Sequence, residues 1–403
     1  MHVLIIHQAF ASASEAGGTR HYEFARHLVS QGHRVSVVAG QVSYLTGATV
    51  ADEAADAEPG IAIVRPYTSR SMHKSFAHRA VSYFSFMVSS FFAALRVRDV
   101  DVVVGTSPPI LQGATALLVA RLKRVPFVFE VRDLWPDFAI ELKILRNPFI
   151  IVGAHWLERR LYRSADRLLV NSPGFIAHVQ SVSGRTPALI PNGADASLFS
   201  PAQTGARFRE QWSAGDRFVA LYAGAHGTAN NLETVLSAAE LLRDRQEILF
   251  VLVGDGKEKR ALEAAARAAG LENVRFEPAQ PKEEMPDVVA AADVCLATLR
   301  DIPLFRTTYP NKVFDYMAAA KPTLVAIDGV IREVVEESGG GVFVPPGDAR
   351  ALADTLARLA CNRAECARMG ARAREFVLRR FNRKDQARSF CALLEGCTVE
   401  TAA

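Results

Sequence analysis

The sequence predicts an α/β protein built as two doubly wound, parallel-sheet domains. Three observations predict it. Short apolar runs alternate with stretches of helical periodicity along the whole chain. The alternation breaks once, around residues 191–215, and then restarts. The length, 403 residues, suits two or three domains at roughly 150 residues each.

The first round opens on the apolar strand His2–His7, followed by a small-residue loop ending at Gly17-Gly18. Phe24, Ala25, Leu28 and Val29 then recur at helix spacing, and Gly32 closes that helix. Arg34–Ala39 is the next strand, and residues 61–64, 102–104, 127–129 and 168–170 are further apolar runs, the last three separated by helical stretches. Pro191-Asn192-Gly193-Ala194-Asp195 is a turn cluster, and residues 200–215 are polar and irregular. The boundary belongs here, giving domains at 1–198 and 199–378, with a last helix at 379–403 crossing back to the first domain. The second round runs through strand 218–223, helix 232–243, strand 248–253, helix 257–269 and strand 274–276, then short strands at 294–297, 323–326 and 342–344.

Composition narrows the class. Hydrophobic residues make up 49% and charged ones 22%, which excludes a disordered chain. Lys and Arg total 47 against 43 Asp and Glu, a net +4 that is too balanced to call for a nucleic-acid partner. Five cysteines without a C-x-x-C pair argue against a disulfide framework or a zinc site and fit a reducing cytoplasm. The first residues lack the basic n-region and cleavage site of a signal peptide. Residues 81–97 read VSYFSFMVSSFFAALRV, flanked by Lys74, His78, Arg79, Arg96 and Arg98. Three readings stay open: a buried domain helix, a basic aromatic helix resting on a membrane, or a short transmembrane span.

Ligands of open α/β sheets bind beyond the carboxyl ends of the strands, so the strand-end loops carry the chemistry. Gly17-Gly18 reads either as a flexible loop or as a place where a phosphate can approach a helix N-terminus, with Arg20 near to add charge. Gly254-Asp255-Gly256-Lys257 begins like a dinucleotide fingerprint, but Lys259 stands where the third glycine belongs, and a turn with a helix N-cap explains it equally well. The loop from Gly224 through His226, Gly227 and Asn230 has the makings of an anion nest without an internal cation. Glu130, Arg132 and Asp133 crowd a strand end beside Trp135-Pro136, either as a loop-ordering ion pair or as a working site. Lys312 and Asp315 lie three residues apart behind Pro310, on one face of a helix start. Such a Lys can bind a diphosphate and such an Asp can take ribose hydroxyls; an exposed ion pair is the alternative. Asp99-Val100-Asp101 has the spelling of a metal-binding D-x-D but precedes an apolar strand and reads as its lead-in.

Together these stretches resemble the retaining glycosyltransferases of the GT-B fold, family 4. The resemblance runs over nearly the whole chain and is strongest at residues 311–322, 328–335 and 341–348. These correspond to the family's E-Y-M-A-x-G-K-P block, donor-sugar loop and G-x-x-V-x-P-x-D turn. The Arg132-Asp133-Leu134-Trp135-Pro136-Asp137 stretch looks like the subgroup that builds bacterial surface polysaccharides, including N-acetyl-L-fucosamine transferases.

The resemblance implies two Rossmann-like domains facing across a cleft, and a sugar, of N-acetylhexosamine type, moved from a UDP-linked donor. The implied acceptor is a polyprenyl-linked glycan or a polysaccharide of O-antigen, capsule or exopolysaccharide assembly. No metal or other cofactor is expected, and the place is the cytoplasm, peripheral on the inner membrane face. Asp133 with Arg132 would lie near the reacting carbon. Gly17 and Gly18 would face the donor phosphates, and Lys312 with the loop of Gly224, His226, Gly227 and Asn230 would hold the diphosphate. Gly254, Lys257 and Arg306 would help, Asp315 would take the ribose, and Asp328, Gly329, Val330 and Ile331 would line the donor sugar. Two departures stand out: Thr307 replaces the first Glu of the family's E-x7-E motif, and Asp315 the second. They leave room for a catalytically inactive nucleotide-sugar-binding subunit. A GT-B epimerase or a transferase with a soluble acceptor is the other alternative, and an NAD-dependent dehydrogenase is disfavoured by its missing glycines.

Overall fold

The computed structural model describes residues 1–43, 46–50, 59–69 and 76–402. Lys74 and the side chain of Arg79, which entered the membrane reading, lie outside the described residues. The chain divides into two compact units, Met1–Pro191 with Lys384–Ala403, and Asn192–Arg383. The division falls at Pro191 and Arg383 rather than at 198 and 378. The reason is backbone pairing: Ala194 N donates to Phe381 O at 3.1 Å and Arg383 N to Ala194 O at 3.0 Å, which keeps the turn cluster within the second unit.

Unit 1 runs β1 (His2–His7), α1 (Arg20–Ser30), β2 (Arg34–Ala39), β3 (Ile61–Val64), α2 (Phe76–Arg96), β4 (Val102–Ser107) and α3 (Ile110–Lys123). It continues through β5 (Phe127–Val131), α4 (Asp137–Glu141), α5 (Pro148–Ser164), β6 (Arg167–Val170), α6 (Ile176–Ser183) and β7 (Ala188–Leu189). The strands form one parallel sheet in the order β3-β2-β1-β4-β5-β6-β7. Strands covered on both faces read as continuous apolar runs, which is why β1 and β4 are buried at every residue. Val3 and Ile5 of β1 share a cluster with Phe24 of α1 and Phe390 of the last helix. The alternate residues, Leu4 and Ile6, point to the opposite face, where α2 and α3 contact β1 and α5 contacts β5.

The candidate membrane helix is α2. No helix among the described residues is long and apolar enough to cross a bilayer. Its sides are inverted, however: Ser82, Phe86, Ser90 and Ala94 are buried, while Val81, Phe84, Val88 and Phe92 are exposed.

Unit 2 runs α7 (Ala206–Gln211), β8 (Phe218–Ala223), α8 (Leu232–Leu241), β9 (Ile248–Val253), α9 (Lys259–Ala268), β10 (Val274–Glu277) and α10 (Met285–Ala290). After these come β11 (Val294–Thr298), α11 (Asn311–Ala318), β12 (Thr323–Ala326), α12 (Val330–Ser338), β13 (Gly341–Phe343), α13 (Ala349–Ala360) and α14 (Arg363–Arg380). Its parallel sheet has the order β10-β9-β8-β11-β12-β13. Alternation along β8 feeds two cores: Val219 and Leu221 join Val313 and Phe314 of α11, and Phe218 and Ala220 join Val235 of α8 and Leu356 of α13. The last helix, α15 (Arg383–Ala402), begins at the end of unit 2 and packs in unit 1, where Phe390 stacks on Phe24 with ring centroids 4.7 Å apart.

Candidate active site

In both units the candidate residues gather where β-strands end and helices begin. In unit 2, the loops after β8 and β9 are laced together. Gly224 N donates to Val253 O at 2.9 Å, His226 N to Asp255 O at 2.8 Å, and Glu258 N to His226 O at 3.0 Å. This closeness explains Gly254: its φ is +150°, and a Cβ there would meet Gly224 O at 1.8 Å. The structure thus gives Gly254 a loop-packing role of its own. Lys259 fills the fingerprint's third glycine position and donates to Gly254 O and Glu277 O, both at 2.8 Å, tying the loop down. Lys257 projects outward at the entrance to α9, 3.5 Å from Glu258. Gly227 and Asn230 complete the β8 loop, whose far end is held by Thr298 Oγ1 donating to Asn230 O at 2.5 Å.

His226 is wholly buried among Tyr222 and Phe276. Burial, with the charges of Lys259 and Lys312, pulls its pKa to about 4. It is therefore a neutral ring at pH 7, with neither nitrogen hydrogen-bonded, and it adds no positive charge for a diphosphate.

Lys312 is the basic side chain packed against this loop. It stands in the first turn of α11, and its ammonium lies 3.7 Å from the centroid of the Tyr222 ring. A Cβ on Gly224 would come within 2.7 Å of its Nζ, so the amine lies directly against the β8 loop. The amine is shut off from solvent and has no hydrogen-bond partner. Burial lowers its pKa to about 7. A cation–π contact offsets only part of the lost hydration. The arrangement suits an anion that brings its own charge and oxygen acceptors.

Lys312 and Asp315 do not pair. Asp315 instead accepts from Lys282 Nζ at 2.7 Å and from Asn311 Nδ2 at 3.2 Å. The sequence reading missed Lys282, which lies in the connection before α10 and carries no motif of its own; only its closeness to Asp315 in space reveals it. After β12, Gly329 has φ +84°, and a Cβ there would meet Arg306 O at 2.1 Å. Asp328 accepts from Gly329 N at 2.9 Å and Arg332 at 3.4 Å, with Arg306 3.9 Å away. The Gly329 N–H, more than the two arginines, holds the Asp328 carboxyl below its usual pKa despite slight desolvation. Val330 opens α12 half-exposed, but Ile331 is fully buried in the core, which corrects its expected place as a sugar-lining side chain.

In unit 1 the polar groups form a buried network. Glu130, at the end of β5, lies 2.9 Å from Arg20 Nε and 2.5 Å from His21 Nε2. Burial alone would raise its pKa, but Arg20 and His21 overcome that and hold it far below the carboxylate range. Arg20 also donates to Pro191 O at 2.8 Å and Ile190 O at 2.6 Å. It is consumed inside the unit, which corrects its expected role as a phosphate cation. Arg132 donates to His7 Nε2 at 2.8 Å, and burial keeps His7 neutral. The proposed Arg132–Asp133 ion pair is absent among the described residues. Asp133 Oδ1 is instead buried without a hydrogen-bond partner. Burial raises the Asp133 pKa to about 7, against the opposing Arg132 charge and a hydrogen bond from the Trp135 backbone. Gly17 and Gly18 are exposed just before α1, and a Cβ on Gly18 would meet nothing within 4 Å. Glu130 was marked by its place at the strand end, but His7 and His21 are network members that spacing could not nominate.

Two family descriptions tile the chain. Residues 16–193 match "Glycosyl transferase 4-like domain" and residues 206–376 match "Glycosyl transferases group 1". The chain belongs to the group 1 glycosyltransferases of GT-B type. This glycosyltransferase is 30% identical over 269 residues to a Pseudomonas aeruginosa protein named as the glycosyltransferase WbjE, covering 64% of this chain and 66% of that one. It is 24% identical to WcaI of Escherichia coli K12, a glycosyl transferase named for colanic acid biosynthesis, over 76% of this chain and 78% of the relative. Among solved structures it resembles a sucrose-phosphate synthase from Thermosynechococcus elongatus, with a TM-score of 0.77 at 19% identity and full coverage of both chains. It also resembles Anabaena HepE in complex with UDP and glucose, with a TM-score of 0.75 at 17% identity, covering 98% and 99%. These likenesses establish the fold class read from the sequence, two Rossmann-like parallel-sheet domains of GT-B type.

Proposed function

We propose that this glycosyltransferase moves a sugar of N-acetylhexosamine type from a UDP-linked donor, with retention at the anomeric carbon. The acceptor is a polyprenyl-linked glycan or a growing surface polysaccharide, met at the inner face of the cytoplasmic membrane. The observation that carries the donor half is the buried, unpartnered ammonium of Lys312 against the β8 loop. Sugar transfer from a nucleotide needs its diphosphate leaving group neutralised, and a fixed, dehydrated cation is worth far more there than one in water. Lys312 takes the diphosphate and Asp315, held by Lys282, takes the ribose diol. Asp133 serves the reacting carbon and the acceptor hydroxyl. No metal is invoked, since Lys312 and the helix N-termini meet the charge. WcaI, the relative named for colanic acid biosynthesis, supports the acceptor class, and the UDP complexes of HepE support the base.

Titration calorimetry with UDP, GDP and ADP in excess EDTA tests the donor half. UDP is expected to bind without metal and to lose affinity in Lys312→Met; binding of none of the three nucleotides would overturn the reading. A second reading, binding without turnover, draws on Asp315 being already engaged by Lys282. Release of UDP from UDP-N-acetylhexosamines in the presence of a polyprenyl-diphosphate sugar excludes it.

A further inference from the structure

Three neighbouring helices of unit 1 turn outward what a protein surface ordinarily hides. On α5, Phe149 is 86% and Trp156 65% exposed, with Ile150 and Val152 exposed beside them. On α2, Val81, Phe84, Val88 and Phe92 face solvent while Ser82 and Ser90 face inward, with Phe86. Leu118 and Leu122 of α3 are exposed as well. α2 packs on α3 and α3 on α5 over one face of the sheet, so these residues form one surface rather than scattered exceptions.

Exposed charge carried by the described residues of these three helices has one sign. The sequences of α2, α3 and α5 contain a single acidic residue, Glu158. It is buried, 3.2 Å from His155 and 2.7 Å from His178. The exposed arginines are Arg96, Arg121, Arg159, Arg160 and Arg163. A chain with a net charge of only +4 therefore concentrates positive charge here. Along α5, positions 149, 152, 156, 160 and 163 recur at helix spacing, so the exposed side is apolar in its first half and arginine-bearing in its second.

We propose that the outer face of α5, α3 and α2 docks on an anionic lipid bilayer. Phe149 and Trp156 enter the headgroup boundary and the α5 arginines meet lipid phosphates. The helices lie on the surface and do not cross it, consistent with their length and polarity. A second copy of the chain is a poorer occupant, because a two-fold interface would set these arginine-bearing helices against themselves. The inference rests on the lipid-linked acceptor for its purpose, and on the exposed residues for its evidence.

The test is sedimentation of the full chain with vesicles of phosphatidylcholine alone and of phosphatidylcholine mixed equally with phosphatidylglycerol. Binding to the mixed vesicles is expected, weakening with added salt, and at least about 10-fold tighter than to phosphatidylcholine alone. The double variant Phe149→Ser/Trp156→Ser should lose about 10-fold or more in binding. Arg159→Gln/Arg160→Gln/Arg163→Gln should lose about 100-fold, taking on the order of 1 kcal/mol per arginine at the membrane surface. Thermal unfolding and UDP affinity should be unchanged in both variants, so failure here is distinct from failure of the nucleotide reading. Absence of vesicle binding, or equal binding by wild type and both variants, would overturn the proposal. So would binding to polyglutamate without binding to vesicles, which would assign the face to an acidic protein. A dimer converted to monomer by the double variant, with vesicle binding unchanged, would assign it to a second copy.

Discussion

The two units treat their buried charges in opposite ways. Among the described residues, unit 1 surrounds Glu130 with Arg20 and His21 and joins Arg132 to His7, and leaves the Asp133 carboxyl without an ion-pair partner. Unit 2 pairs Asp315 with Lys282 and leaves one ammonium, Lys312, unpaired. Burial pushes the lone acid up and the lone base down, and both arrive at a pKa of about 7. The paired groups hold structure, and the unpaired ones are kept at a cost to stability, which is the usual mark of a working site.

The largest expected effect lies among the paired groups. Glu130→Ala strands Arg20 and should cost about 3–5 kcal/mol in denaturant unfolding. A loss below about 1 kcal/mol would break the contrast between paired and unpaired groups. Next comes Lys312→Met, which should lower sugar transfer by about 10²-fold or more without lowering the melting temperature. A third variant sharpens the division of labour within unit 2. Asp315→Ala should weaken UDP binding by about 10-fold, as loss of a charged hydrogen bond to the diol implies, and leave inorganic diphosphate binding unchanged; Lys312→Met should weaken both.

The last contrast is a pair of pH slopes of opposite sign. The folded pKa of Lys312 lies below its unfolded value, so the unfolded chain binds more protons between pH 7 and 10.5, and stability rises with pH across that window. Its cost is therefore complete below pH 7, and Lys312→Met should stabilise at pH 6 but not near pH 10.5. Asp133 is the reverse. Its folded pKa lies above 3.8, so stability falls as pH rises from 3.8 to 7, and Asp133→Asn should stabilise at pH 8 but not near pH 4. Melting curves of the two variants across pH check both signs. Parallel slopes would show that the two burials are not opposed.

Much of the fold is legible in the sequence because parallel strands are apolar on both faces and helices are not. The strands His2–His7, Phe218–Ala223 and Thr323–Ala326 follow directly from that pattern. The short strand Ala188–Leu189, exposed at both residues, has no such pattern and escapes it. The strand-end loops were legible too, since glycines and a Lys–Asp spacing mark them. Their internal wiring was not: Ile331 turns into the core, and Lys259 rather than Lys257 secures the β9 loop.

By itself, then, the sequence determined two rounds of strand and helix, and which loops carry charge at strand ends. These are local matters, set by periodicity and turn chemistry within a few residues. The tertiary structure decided which charges find partners. Arg20 reaches Glu130 across 110 positions, His7 reaches Arg132 across 125, and Lys282 reaches Asp315 across 33. It also decided which side of α2 faces out. Hydrophobicity counts residues on a helix, but only packing against the sheet fixes whether Ser82 and Ser90 or Phe84 and Phe92 meet solvent.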